Sequence, residues 1–135
     1  MRALPEELER LVERARAARE QAYAPYSRFQ VGAAIETASG HVFVGGNVEN
    51  ASYGATLCAE RAAVAAMVAA GERVISRVAV YTEAAELTMP CGICRQVLVE
   101  FGGGATVVVA SKDGAKVMPL SELFPEPFLF EPPSS

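Results

Sequence analysis

With 135 residues the chain is the length of one ordinary domain, and 51% hydrophobic residues give it the material for a real core. A net charge of −4 excludes the basic surface that nucleic acid requires, and three cysteines, an odd number, argue against a disulfide framework. No apolar run approaches the roughly 20 residues that span a bilayer, and the acidic, periodic opening Met1-Arg2-Ala3-Leu4-Pro5-Glu6-Glu7 does not read as a signal peptide. The expectation is a soluble, cytoplasmic protein with neither a membrane nor a nucleic acid as partner.

Leu4, Leu8, Leu11, Val12, Ala15 and Ala22 recur at helical spacing and predict an amphipathic first helix that ends before Pro25. Its Arg10, Arg14, Arg16 and Arg19 alternate with glutamates as a solvated face. Residues 29–35 and 41–48 read as strands joined by the turn Ala38-Ser39-Gly40, a hairpin, and 47–57 as a polar loop. Cys58 opens a second helix that runs to Ala70, with Gly71 as its C-cap. A third strand covers 74–82. Pro90 precedes a third helix near 92–101, stopped by Gly102-Gly103-Gly104. A fourth strand at 105–111 turns through Lys112-Asp113-Gly114 into a short fifth near 115–118. Ser121 is expected to cap a last helical turn ending at Pro125, and the tail 131–135 to be loose.

Helices alternating with strands predict an α/β fold, a three-layer α-β-α sandwich around one central mixed five-stranded sheet. The second helix, with Ala62-Ala63-Val64-Ala65-Ala66-Met67-Val68-Ala69-Ala70, has no polar face. Such a helix is normally buried on every side, so neighbouring subunits are expected to cover it.

The chemistry concentrates in Cys58-Ala59-Glu60-Arg61 and Pro90-Cys91-Gly92-Ile93-Cys94. Cys58, Cys91 and Cys94 sit at predicted helix N-termini, where partial positive charge and free N–H groups favour the thiolate. Thiolates suit zinc, and a zinc with three protein ligands keeps a fourth position for water. Glu60 stands where it can handle that water's protons. Three thiolates on Zn²⁺ leave a net charge of −1, and Arg61 is placed to donate to the sulfurs and offset it. A closed structural zinc site needs a fourth protein ligand. The sole histidine, His41, follows a hairpin turn and reads as an exposed residue.

The chain resembles the cytidine deaminases, specifically the small homotetrameric type with three cysteine ligands. Four segments carry the resemblance: Ala24-Pro25-Tyr26-Ser27-Arg28-Phe29-Gln30-Val31-Gly32-Ala33-Ala34, Gly46-Asn47-Val48-Glu49-Asn50-Ala51-Ser52-Tyr53-Gly54, Cys58-Ala59-Glu60-Arg61, and Pro90-Cys91-Gly92-Ile93-Cys94-Arg95-Gln96-Val97-Leu98. A zinc ligand, a Glu two residues on and Pro-Cys-x-x-Cys form the nucleobase deaminase signature.

The resemblance implies a single catalytic domain over 1–130, one Zn²⁺ per subunit on Cys58, Cys91 and Cys94, and Glu60 as proton shuttle. It implies a nucleoside substrate whose ribose meets Asn47 and Glu49, residues i and i+2 that point the same way in extended chain. Phe29 packs on the base, a position that periodicity alone assigns to a strand core, and Ala59 and the Cys91 loop contact the base through their backbones. Tyr53 reaches towards a neighbouring site in a homo-oligomer, expected to be a tetramer with shared active sites. A second aromatic arrives from a neighbour, and Leu123-Phe124-Pro125-Glu126-Pro127-Phe128 gives Phe128, while counting from Cys94 gives Phe130. Met89 and Ile93 depart from the family's frequent Ser and Ala and are expected to alter the wall beside the base. The implied reaction is hydrolysis of cytidine and 2′-deoxycytidine in pyrimidine salvage. A blasticidin-type deaminase shares the cysteine signature but lacks the Asn47-Val48-Glu49-Asn50 segment, and a zinc-stabilised interaction protein leaves Glu60 without a purpose.

Overall fold

The computed structural model describes residues 4–130 and 132. The expected loose tail, apart from Pro132, and the first three residues of the expected domain lie outside that range. Strands β1 (Gly32–Thr37), β2 (Val42–Gly46), β3 (Ile75–Tyr81), β4 (Thr106–Ala110) and β5 (Ala115–Pro119) form one sheet in the order β2-β1-β3-β4-β5. Only β3 and β4 pair in parallel, so the sheet is mixed, as expected. Helices α1 (Glu6–Arg19), α2 (Ala59–Ala69), α3 (Gly92–Gly102) and α4 (Leu120–Leu123) complete the described structure.

Both faces of the sheet are covered, which is why its central strands are apolar in continuous runs rather than in alternation. Ala33, Ile35, Val78, Val80, Val107 and Val109 point to one face, where Ala59, Ala63, Met67 and Leu98 of α2 and α3 meet them. Ala34, Ala79, Tyr81, Val108 and Ala110 point to the other and bury Leu8, Leu11 and Ala15 of α1. The result is the expected three-layer α-β-α sandwich.

The topology dictates where a ligand can sit. Strands β2 and β3 are each antiparallel to β1, so they run in the same direction and end at the same edge of the sheet. The chain enters α2 after β2 and α3 after β3. Both helix N-termini therefore open at that edge, beside the start of β1, and open α/β sheets hold ligands in such crevices at strand C-terminal ends. Gly45 keeps α2 close to the sheet. A Cβ there would lie 2.6 Å from the Ala63 nitrogen and 2.7 Å from the Ala59 oxygen. Gly71 adopts φ 88° and ends α2 as expected, with the Glu72 N–H donating to the Met67 carbonyl at 3.1 Å.

Two expectations shift and one tightens. The first helix ends before Pro25 as expected, but at Arg19, so Ala22 falls outside it, and the Tyr23 N–H is taken by the Asn47 carbonyl at 2.8 Å. Strand β2 ends at Gly46: Val48 leaves β1 and bridges Tyr23 and Leu57 instead. Ser121 does not cap the last turn. It lies inside α4, which Pro119 precedes with no side-chain cap.

Candidate active site

Cys58 and Cys91 are the N-cap residues of α2 and α3, and Cys94 is the third residue of α3. The Cys58 and Cys91 sulfurs are 3.9 Å apart, and all three sulfurs lie within 4.8 Å of one another. Three thiolates held tetrahedrally at about 2.3 Å from one zinc sit about 3.8 Å apart. The cluster is therefore at ligating distance with little further closure, and its soft donor set suits zinc.

Charge at the cluster is organised around Cys58. Its thiol is pulled down to about 5, first by the hydrogen bond from Cys94, then by Arg61 and Cys91, against the effect of burial. The buried Cys94 is pushed up by the same contact with Cys58. Arg61 Nη2 donates to the Cys58 sulfur at 3.5 Å and to the Thr56 carbonyl at 3.2 Å, the placement expected from sequence. Glu60 is only 5% exposed, and burial, assisted by the neighbouring Cys58 charge, pushes its carboxyl up to about 7.

A cleft of about 220 Å³ opens over the cluster, and its lining gathers all five segments that meet at the sheet edge. Phe29 and Val31 come from the approach to β1, Asn47 and Glu49 from the exit of β2, and Cys58, Ala59 and Glu60 from α2. Met89 and Cys91 close the side towards α3. Asn47 and Glu49 thus share one cleft, as their i, i+2 spacing requires. A second hollow, lined by Tyr26, Asn50 and Tyr53, adjoins it through Ser27, Glu49 and Thr56.

The cleft's polar wall is built by two chain segments laced together. Asn47 is buried, its Oδ1 accepting from the Val31 N–H at 2.8 Å and its Nδ2 donating to the Phe29 carbonyl at 2.9 Å. One amide hydrogen is left for a ligand. Glu49 Oε1 accepts from the Tyr26 and Ser27 N–H groups at 2.9 and 3.0 Å, and Oε2 accepts from the Ser27 hydroxyl. These bonds hold the Glu49 carboxyl below its usual range, the Ser27 hydroxyl most of all.

Of the remaining expected residues, Phe29 and Met89 line the cleft and Tyr53, Ile93, Phe128 and Phe130 do not. Phe29 precedes β1 rather than sitting in it, so its ring is 39% exposed and faces the cleft instead of the core. Tyr53 is 79% exposed in a 3₁₀ turn at the outer hollow. Phe128 and Phe130 are exposed and line no part of this chain's cleft. Gln96 holds Phe128 by its backbone on both sides, accepting from its N–H at 3.2 Å and donating to its carbonyl at 2.7 Å. Met89 lines the cleft, but Ile93 is exposed and outside it, because position i+2 of the helical turn points away from the sulfurs. His41 is exposed and pairs with Glu72 at 3.1 Å, away from the cluster. Ser27, Thr56 and Thr88 line the cleft and carry no role in the sequence reading.

Residues 5–111 match the cytidine and deoxycytidylate deaminase zinc-binding region. The chain belongs to this deaminase family. A cytidine deaminase of Halalkalibacterium halodurans is 43% identical over 123 residues, which span 90% of this chain and 93% of the relative. The crystal structure of cytidine deaminase from Burkholderia pseudomallei superposes with a TM-score of 0.85 at 46% identity, over 93% of this chain and all of that one. The Mycobacterium tuberculosis cytidine deaminase structure gives 0.80 at 40% identity, over 93% and 100% of the two chains. Among deaminase relatives of this size, the three-sulfur cluster fits one zinc per chain.

Purified protein is expected to carry about one zinc per chain by elemental analysis. Cys91→Ala and Cys94→Ala should each lose it, and Cys94→Ala, at a fully buried position, should also lower the melting temperature. Wild-type zinc content in either variant would remove that residue from the ligand set.

Proposed function

We infer that the chain catalyses the hydrolytic deamination of cytidine and 2′-deoxycytidine to uridine and 2′-deoxyuridine, releasing ammonia. The observation that carries this reading is a single cleft lined by Glu60, a buried carboxyl, by an amide and carboxylate at Asn47 and Glu49, and by Cys58 and Cys91 of a cluster of three sulfurs at zinc-ligating distance.

Cys58, Cys91 and Cys94 would hold the zinc, which when bound would supply Lewis acidity able to lower the pKa of a water from about 15.7 towards 7. Glu60 takes one proton from the attacking water and delivers it to N3 as a bond forms between the water oxygen and C4. It then carries the second proton to the 4-amino group, the C4–N bond breaks, and ammonia leaves. N3 keeps its proton in the uridine product. A carboxyl pushed up to about 7 by burial is matched to giving and taking protons near neutral pH. Arg61, bonded to the Cys58 sulfur, offsets the excess negative charge of three thiolates.

Phe29 packs on the base and the backbone of Ala59 contacts its edge, while Asn47 and Glu49 grip the ribose. Met89 forms part of the wall beside the base. The only charged residues among those lining the cleft are Glu49 and Glu60, which favours a neutral nucleoside over a phosphorylated one.

The same reading extends to a cytoplasmic, homotetrameric enzyme of pyrimidine salvage with shared sites. Ala65, Ala66 and Ala69 of α2, together with Tyr53, Phe128, Leu129 and Phe130, are exposed on the single chain. Closed symmetric association is the usual way to cover such apolar surface. Phe128, tethered by its backbone and free at its ring, is set to reach a neighbour's base.

Glu60→Gln should keep zinc and fold but slow cytidine turnover at least about a hundredfold, since one residue serves both proton steps. Ultraviolet monitoring of cytidine decides it: turnover within tenfold of wild type would refute the mechanism. For the shared site, a chain ending at Pro125 keeps α4 but lacks Phe128, and should keep zinc while losing activity. Mixing it with the Glu60→Gln chain should restore part of the activity. No restoration despite demonstrated subunit exchange would refute donation by a neighbour.

A further inference from the structure

The segment before β1 reaches the cleft through an uncommon backbone. Arg28 has φ 63°, the one left-handed residue other than glycine among the described residues. Ser27 and Phe29, on either side of it, both line the cleft. A left-handed arginine is unfavourable unless surrounding contacts over-determine it. The Arg28 N–H donates to the Ala24 carbonyl at 3.0 Å, and Ser27 secures the other side.

The Ser27 hydroxyl has one hydrogen, and its bonding is fully specified. Its oxygen accepts from the Phe29 N–H at 3.0 Å, and its hydrogen goes to Glu49 Oε2, a carboxylate oxygen that can only accept. Glu49 Oε1 is already saturated by the Tyr26 and Ser27 N–H groups. Each carboxylate oxygen offers about two acceptor positions. Three of the four are therefore committed inside the protein, and the fourth, on Oε2, is left for a ligand in the cleft.

We propose that Ser27 is a positioning residue of the nucleoside site: its hydroxyl ties the Glu49 carboxylate to the Phe29 backbone and leaves Glu49 one acceptor position, aimed at a single sugar hydroxyl. The proposal rests on the reading of Glu49 as a ribose contact. Loss of the hydroxyl leaves Oε1 anchored but frees Oε2 to rotate and to take water. It also releases the Phe29 N–H, so the sugar contact and the base platform loosen together. The chemistry at C4 and the zinc cluster are untouched, which places the effect in substrate binding.

Steady-state cytidine kinetics on the zinc-loaded full chain test this with Ser27→Ala, Ser27→Thr, Glu49→Gln and the Ala–Gln double variant. Ser27→Ala should raise KM roughly tenfold, the scale of one hydrogen bond to a charged group, with kcat within about threefold of wild type. Ser27→Thr, which keeps the hydroxyl, should recover most of that loss. In the double variant the Ser27→Ala change should cost clearly less than it does alone, since the share that acts through Glu49 is already lost and only the Phe29 N–H contact remains to be removed. An unchanged KM in Ser27→Ala, or its full effect multiplied onto Glu49→Gln, overturns the proposal. So does a fall in melting temperature or zinc content in Ser27→Ala, which would make the hydroxyl a support of the fold. A wild-type chain that does not convert cytidine would instead overturn the deaminase reading beneath it.

Discussion

Everything at the site follows from two helix N-termini opening at one edge of the sheet. Because β2 and β3 run in the same direction on either side of β1, α2 and α3 both begin there, and their N-cap residues are cysteines. Each helix N-terminus carries partial positive charge and backbone N–H groups with no helical partner, and one guanidinium, Arg61, bonds to the Cys58 sulfur. The fold thus concentrates positive potential where three negative sulfurs gather around a cation. Glu60, in the first turn of α2, is buried by the same convergence, and burial is what pushes its carboxyl up to about 7.

The opposite wall is held by a different device. Residues 23–31 and 47–49 belong to no regular strand pair, yet Asn47 and Glu49 bond to the backbone of four residues in the first segment. Asn47 spends half of its hydrogen-bonding capacity on the protein and Glu49 three of its four acceptor positions, and each keeps a remainder. Bonds of this kind fix the direction of the remaining donor and acceptor, the preorganisation that leaves little ordering to a binding step.

The cysteine cluster was legible in the sequence because its information is local: Cys91-x-x-Cys94 and Cys58-x-Glu60 fix ligand and carboxylate spacing within one helical turn. The layer order was legible too, since apolar periodicity distinguishes α1 from the flanking strands. What escaped depends on contacts between distant residues. Nothing near Phe29 says that it lies outside β1; Asn47, 18 residues away, pulls that backbone off the strand path. Ser27 reads as one more polar loop residue until Glu49, 22 residues later, meets it. Ser121 looked like a cap by residue type, but the cap position is taken by Pro119, two residues earlier, and α4 begins at Leu120. Composition flagged the apolar α2, and Ala65, Ala66 and Ala69 of that helix are exposed on the single chain.

The central claim is that three thiolates hold a zinc ion whose fourth position is open to water. Zinc K-edge X-ray absorption on the purified protein tests it most directly. The account predicts three sulfur neighbours at about 2.3 Å and one oxygen at about 2.0–2.2 Å. Four sulfur or histidine neighbours and no oxygen would describe a closed structural site and contradict it.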